Sequence, residues 1–494
     1  MADSNNKSNI HCALIFQGGG SLGAYEAGAY KAINEELSAA FRIVGREKEP
    51  IFHIVAGTSI GAINAAILVS YVKENKTWEG SGERLVDFWE YLSAHSHVEA
   101  MPYFARYWDS WYRVDKRIAS GGSARRYFST KEFIFSGVPN VFRPKMPMAD
   151  KRFFDPSNTW FLYDNSPLKE SLEKFAKFPI STNFENNEPR LLLVAADVQE
   201  VVPVVFDSYE KEDGTRKSPY GRYGKLKLGS GSTEHQRNND NNKGFEHVIR
   251  YEDGIQADFV IASCSVPVNY DYTRLNVENY SVVGEDNNKA VAGSDDISSS
   301  NGINSVRFFW DGGLLANTPL RQTVIAHRDY WYRVRKLEDD IPRLKFGIIN
   351  LHPVKQEDIP YDYDRVIDRK NDIIYHDRTA FDEFVAVLIS DYAILAKSII
   401  KLAEENGVSK KKLQQILQEE TKTVNARTGE QLRYDDLLKA RVDVDFVVRL
   451  ERKNDIHTIS NKTFDFSTTT IRQLIQDGYL ESKEAMKKVV AENT

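Results

Sequence analysis

The feature that most constrains this chain is a serine flanked by glycines where an apolar run gives way to a helical one. Gly57-Thr58-Ser59-Ile60-Gly61 follows Ile51-Phe52-His53-Ile54-Val55-Ala56 and precedes Ala62-Ile63-Asn64-Ala65-Ala66-Ile67-Leu68. That order predicts strand, tight turn, helix. In a G-x-S-x-G elbow the glycines let the backbone turn sharply and leave room beside the serine, so its hydroxyl stands exposed at a helix N-terminus. Ser59 is therefore a candidate nucleophile. Taken alone, the same motif is equally served by a serine that caps the helix.

Upstream, Cys12-Ala13-Leu14-Ile15-Phe16-Gln17 reads as a buried strand running into Gly18-Gly19-Gly20-Ser21-Leu22-Gly23, with a helical pattern from Ala24 to Leu37. A glycine-rich strand-to-helix loop exposes backbone N–H groups, and the helix dipole behind it makes an anion site for a phosphate or an oxyanion. Gly18, Gly20 and Gly23 satisfy G-x-G-x-x-G. A dinucleotide site also wants an acidic residue roughly 20 residues on, at the end of the second strand. Here that strand ends in Gly57-Thr58-Ser59, which argues against a nucleotide. No Gly-Lys-Ser/Thr follows, which excludes a Walker A loop.

A third element is Phe308-Phe309-Trp310-Asp311-Gly312-Gly313, a short apolar strand ending in an aspartate and two glycines. Asp-Gly-Gly by itself is ordinary turn chemistry. The three segments together, in this order and context, resemble the patatin-like phospholipases, over roughly residues 11 to 325. Ala262-Ser263-Cys264-Ser265-Val266-Pro267 is similar to the family's Ala-Ser-x-x-x-Pro stretch before the Asp-Gly strand. The resemblance implies Ser59 as nucleophile, Asp311 as its base in a Ser-Asp dyad and the Gly18, Gly19 and Gly20 amides as an oxyanion hole. Gly23, Gly57, Gly61, Gly312 and Gly313 are the supporting motif glycines. Ser21-Leu22 departs from the basic residue many members carry there, which bears on substrate preference and not on the backbone donors.

The chemistry is consistent with that assignment. A serine hydroxyl needs a neighbour that accepts its proton, and the tetrahedral adduct needs preorganised donors worth about 2.7–4 kcal/mol each. The three segments supply one of each. A triad would add a histidine after the acid. His327, His352, His376 and His457 all follow Asp311, and His352, which ends the strand Leu344 to Leu351, is the most tempting. We read it as a strand-end residue without a chemical role, because the glycine trio favours a dyad. His53, in the elbow strand, is expected in the core.

The predicted fold is α/β: three αβα layers around a mostly parallel central sheet, with a mainly helical C-terminal extension. Residues 1–354 would form the catalytic domain and 355–494 the extension, which need not be an independent domain because the strand from Leu344 is expected to join the main sheet. Phe381 to Leu402 and Lys410 to Leu417 read as helices, Val442 to Leu450 as a strand, and Asp465-Phe466-Ser467 introduces a last helix from about Thr468. That tail resembles the extension of a bacterial patatin-like subgroup. Two polar stretches, 209–244 and 276–304, read as surface insertions, either lids or solvated loops. Residues 101–128 interleave Phe104, Tyr107, Trp108, Trp111 and Tyr112 with Arg106, Arg113, Lys116 and Arg117. They read either as a helix packing an aromatic face on the core or as an interfacial helix that dips into lipid.

Composition sets the remaining bounds. A net charge of −6 offers no general attraction to nucleic acid or anionic lipid. The two cysteines, Cys12 and Cys264, sit in apolar stretches and read as buried thiols without metal spacing. No apolar run reaches the ~18 residues of a spanning helix, and the polar start lacks a signal peptide. The expectation is a cytoplasmic enzyme with no metal and no cofactor, peripheral at membranes at most. It would hydrolyse fatty-acyl esters of lipids. A non-lipid esterase acting on short-chain or polyester substrates, or a catalytically silent binding protein of the same fold, are the alternatives.

Overall fold

The computed structural model describes residues 10–46, 49–97, 123–145, 161–222, 244–282, 303–338, 341–356, 359–424, 431–439, 441–452 and 459–492. Most of the aromatic and arginine-rich segment lies outside them, as do residues 223–243 and 283–302 of the two polar stretches.

The elements that position the site are, in chain order, β1 (Ile10–Phe16), α1 (Gly23–Ile43), β2 (Ile54–Thr58), α2 (Ile60–Asn75), α3 (Ser81–Leu92), β3 (Arg190–Asp197) and β4 (Val202–Asp207). There follow β5 (Lys217–Arg222), β6 (Gly244–Arg250), α4 (Ala257–Cys264), β7 (Thr273–Val282), β8 (Ile303–Asp311) and α5 (Leu320–Asp329). The chain closes with β9 (Arg343–Asn350), α6 (Tyr363–Tyr375), α7 (Ala380–Glu405), β10 (Val444–Glu451) and α8 (Thr468–Glu492).

Ten strands form one mixed sheet in the order β10-β9-β1-β2-β3-β8-β7-β6-β5, with β4 paired to β3. From β10 to β3 the neighbours are parallel, and beyond β3 they are antiparallel. The central strands β1, β2 and β3 of the parallel part are buried on both faces, as their near-continuous apolar sequences require. Leu14 and Phe16 of β1 join one core with Ile349 and residues of α1, α2, α3, α4 and α8, while Ala13 and Ile15 join a second with Leu344, Phe346, Leu320 and Trp331. The alternation of side chains along a strand thus produces the expected three layers.

The C-terminal residues enter this body directly. β10 extends the parallel sheet beside β9. α8 lies so close along α1 that a Cβ on Gly28 would stand 1.9 Å from the Ile475 carbonyl oxygen, and one on Gly478 2.1 Å from that of Tyr25. Only glycine permits that approach. α7 differs: of its 26 residues only Ser390 and Ala393 are buried, so its apolar pattern faces outward among the described residues.

Two expectations change. Lys217–Arg222, inside the first polar stretch, is strand β5, and β7 and β8 run into the second from either side. Antiparallel strands tolerate a polar, solvated face, and here Arg250 pairs with Glu278 on the neighbouring strand (2.8 Å). Polar composition therefore did not distinguish loop from edge ribbon. His53 precedes β2 and is only half-buried, its ring stacked on that of His11 with centroids 4.0 Å apart. Burial pushes the His53 imidazole down to about 4, with Glu49 opposing and Arg46 reinforcing the shift. Among the described residues no helix is long and apolar enough to cross a membrane.

Candidate functional site

The register of β3 brings the predicted groups to one point. Its residue Val194 pairs with Thr58 at the end of β2, and the next residue, Ala195, pairs with Asp311 at the end of β8. Chain segments about 250 residues apart in sequence therefore end side by side, and Ser59 Oγ donates to Asp311 Oδ2 at 2.5 Å.

Ser59 sits at φ 57°, ψ −128°, a strained conformation for a side chain other than glycine. Its surroundings hold it there. The Ser59 N–H donates to Ser263 Oγ (2.9 Å), which itself donates to the Val194 carbonyl (2.6 Å). Cys264 Sγ donates to the Ser59 carbonyl at 3.0 Å. A Cβ on Gly57 would lie 2.1 Å from the Gly61 carbonyl oxygen, and one on Gly61 2.5 Å from that of Phe16, so neither elbow glycine tolerates replacement. Behind the elbow, α2 is buried on nearly all sides, as an all-round apolar helix must be.

Asp311 is almost fully buried, and no arginine or lysine pairs with it among the described residues. Burial pushes its carboxyl up to about 6, while the Ser59 hydroxyl and the Gly313 N–H, which donates to Oδ1 at 2.6 Å, pull it back. Gly312 packs under β3, where a Cβ would meet the Val194 carbonyl at 2.1 Å.

The glycine loop lies beside this pair. A Cβ on Gly18 would be 2.9 Å from Ser59 Cβ. The Gly18 N–H donates to the Asn317 carbonyl (3.3 Å), whereas the Gly19 N–H has no acceptor among the described residues. Gly20, at φ +58°, opens a short helical turn, and the first amides of a turn have no partner within it. Gly23 packs against Trp89 and Ile60.

Gln17 and Glu26, which sequence reasoning passed over, anchor the loop. The Gln17 side chain accepts from the Leu351 N–H (2.7 Å) and donates to Thr318 Oγ1 (3.0 Å) and the Tyr375 carbonyl (3.2 Å). Glu26, fully buried, accepts from the Gln17 N–H (2.7 Å) and Asn64 Nδ2 (2.8 Å), tying β1 to α2. Burial drives its carboxyl well above the usual range. The one sequence signal was a polar residue at the end of an apolar strand and an acid within a small-residue helix.

Ser59, Asp311, Gly18, Gly19, Gly20 and Gly313 all line one cavity of about 250 Å³. Val141, Leu168, Val266, Pro267, Phe464 and Phe466 contribute apolar lining, and Asn371, Tyr375, Asn461 and Thr463 polar lining. His352 lines it too, with Nδ1 3.0 Å from Asp372 Oδ1. Of the other histidines after Asp311, His327 is buried with Nε2 2.8 Å from the Pro342 carbonyl, His376 hydrogen-bonds the Ile373 carbonyl, and His457 lies outside the described residues.

A family model described as patatin-like phospholipase matches residues 14–324. Among solved structures, the crystal structure of VipD from Legionella pneumophila is similar, at 11% sequence identity and a TM-score of 0.26, over 95% of this chain and 66% of that one. A comparison with curated proteins finds no match.

Proposed function

The chain belongs to the patatin-like phospholipase family, and we propose that it is a serine acyl hydrolase in which Ser59 and Asp311 act as a dyad on fatty-acyl esters of lipids. The observation that carries this reading is the 2.5 Å hydrogen bond between Ser59 Oγ, on a strained elbow, and a buried carboxylate without a counter-ion among the described residues. Ser59 Oγ attacks the ester carbonyl while its proton passes to Asp311 Oδ2. The oxyanion is met by the Gly19 and Gly20 amides, Gly18 being engaged with Asn317. Collapse of the adduct expels the alcohol, which takes the proton from Asp311 and leaves acyl-Ser59. Water then attacks the acyl group and gives its proton to Asp311, and release of the fatty acid returns that proton to Ser59.

The mixed lining of the cavity, with apolar side chains and neutral polar groups, supports an amphiphilic substrate. We further propose that residues 355–494 belong to the same catalytic body, since Asn371, Tyr375, Asn461 and Thr463 line that cavity and β10 continues the sheet. A fluorophosphonate should label wild-type protein at Ser59 and leave Ser59→Ala unlabelled. An acyl-chain series with matched headgroups should show turnover rising from short to long chains. Labelling without preference for long chains would replace a lipid hydrolase by a general esterase.

A further inference from the structure

The cavity lining carries a second side chain held by a buried aspartate. His352 is 3% exposed and follows β9, and its Nδ1 lies 3.0 Å from Asp372 of α6. Asp372 is itself held by Lys462 Nζ at 2.9 Å, and the same ammonium reaches Asp368 at 3.1 Å. An ionised carboxylate only accepts hydrogen bonds, so Nδ1 is the nitrogen that donates. Burial keeps the ring neutral by lowering its pKa, and Nε2 is left with a lone pair. That nitrogen lies 3.5 Å from where a Gly19 Cβ would stand and makes no hydrogen bond among the described residues. The backbone on both sides is fixed, because the Leu351 and His352 amides both donate to Gln17 Oε1.

The loop that meets the developing oxyanion therefore has beside it, in the same cavity, an acceptor that cannot donate. We propose that His352 is a specificity-determining residue whose Nε2 accepts a hydrogen bond from a free hydroxyl next to the scissile ester, so that the cavity favours partially acylated polyols. This rests on the serine acyl hydrolase reading above. His352 takes no part in moving the Ser59 proton, which already has Asp311 as its acceptor at 2.5 Å. The hydroxyl is supplied equally by a lysophospholipid or by a monoacylglycerol, since the recognised chemistry is the same. Asp372 and Lys462 act as positioning residues: they select the tautomer.

The test uses the full chain with pairs of monomeric substrates that differ only in that hydroxyl: a 1-acyl lysophosphatidylcholine with its 2-deoxy analogue, and a monoacylglycerol with its deoxy counterpart. Wild type should favour the hydroxyl member by about tenfold or more in kcat/KM in both pairs, the value of one retained hydrogen bond. His352→Phe should bring the ratio to about one while fluorophosphonate still labels Ser59. His352→Gln, whose amide oxygen still accepts, should keep part of the preference. Asp372→Asn can accept from or donate to Nδ1, so it no longer fixes the tautomer and Nε2 is an acceptor only part of the time; it should weaken the preference without losing labelling. A wild-type ratio near one, or a ratio unchanged in His352→Phe, overturns the assignment. If His352→Phe fails to label, the ratios of His352→Gln and Asp372→Asn decide in its place. Wild type that neither labels nor hydrolyses either member sinks the hydrolase reading itself.

Discussion

Two buried aspartates each hold a proton-bearing side chain of the same cavity, and they differ in one respect. Asp311 receives the Ser59 hydroxyl and a backbone amide and has no cation beside it among the described residues, whereas Asp372 receives His352 and the Lys462 ammonium. Loss of water without a compensating charge makes a carboxylate reluctant to ionise, and Asp311 is accordingly raised to about 6. A group so placed can take a proton and return it near neutral pH. At Asp372 an ammonium at 2.9 Å balances the negative charge instead. On the proposed mechanism, one carboxylate exchanges protons and the other orients a ring.

The largest effect separates the two roles. Ser59→Ala and Asp311→Asn should each reduce kcat by about 10⁴-fold or more, and the double variant by little further, because they act as one unit. Asp372→Asn should cost about tenfold, the value of a hydrogen bond and not of a proton transfer. Equal losses at the two aspartates, measured on one lipid substrate, would erase the distinction.

Between the pairs lies Gly19. A Cβ there would meet Leu351 Cδ1 at 2.7 Å, so Gly19→Val must displace the loop and its amides. Turnover should fall by about 10²–10³-fold, as for a lost oxyanion donor, with the fold retained by circular dichroism. Undiminished turnover would remove the loop from the mechanism.

A stability measurement sharpens the contrast further. The folded-state pKa of Asp311 is raised, so its burial is harmless at low pH, where the carboxyl is neutral, and costs stability as pH rises through about 6. Asp311→Asn should therefore unfold later than wild type at pH 8, by about 2–3 kcal/mol, and the gain should vanish near pH 4. Chemical denaturation at the two pH values checks this, and a destabilised variant at pH 8 would mean that the charge is compensated after all. The smallest effect is kinetic: kcat/KM should fall about tenfold per unit below pH 6 as Asp311 takes up its proton, and level off above pH 7. A flat profile from pH 5 to 8 would place the base elsewhere.

The motifs were legible because each is local. The elbow needs two glycines around a serine at a strand-to-helix turn, and the close contacts of Gly57 and Gly61 are the reason glycine is required there. The strand Leu344 to Leu351, the helix Phe381 to Leu402, the strand near Val442 and the terminal helix at Thr468 were readable from periodicity and occur within a few residues of those bounds. The strand at Lys217–Arg222 was not, because an edge ribbon with charged cross-strand pairs has the composition of a loop. His352 stood out as a strand-end histidine, but its surroundings did not. Its partners Asp372 and Lys462 lie 20 and 110 residues further on, and no spacing rule connects them.

By itself, then, the amino-acid order determined which residues can turn, cap, bury and react: three glycine-bounded turns, the strands and helices beside them, and a serine and an aspartate of the right chemistry. Only the tertiary structure decided that Thr58 and Asp311 pair with successive residues of β3, that the Gly18 amide is engaged while the Gly19 amide has no acceptor among the described residues, and that C-terminal residues help line the cavity. The physical reason is range. Turn and periodicity signals arise from sterics and hydrogen bonds a few residues apart, whereas a carboxylate's proton affinity depends on which charges and how much water the whole fold brings within a few ångströms of it.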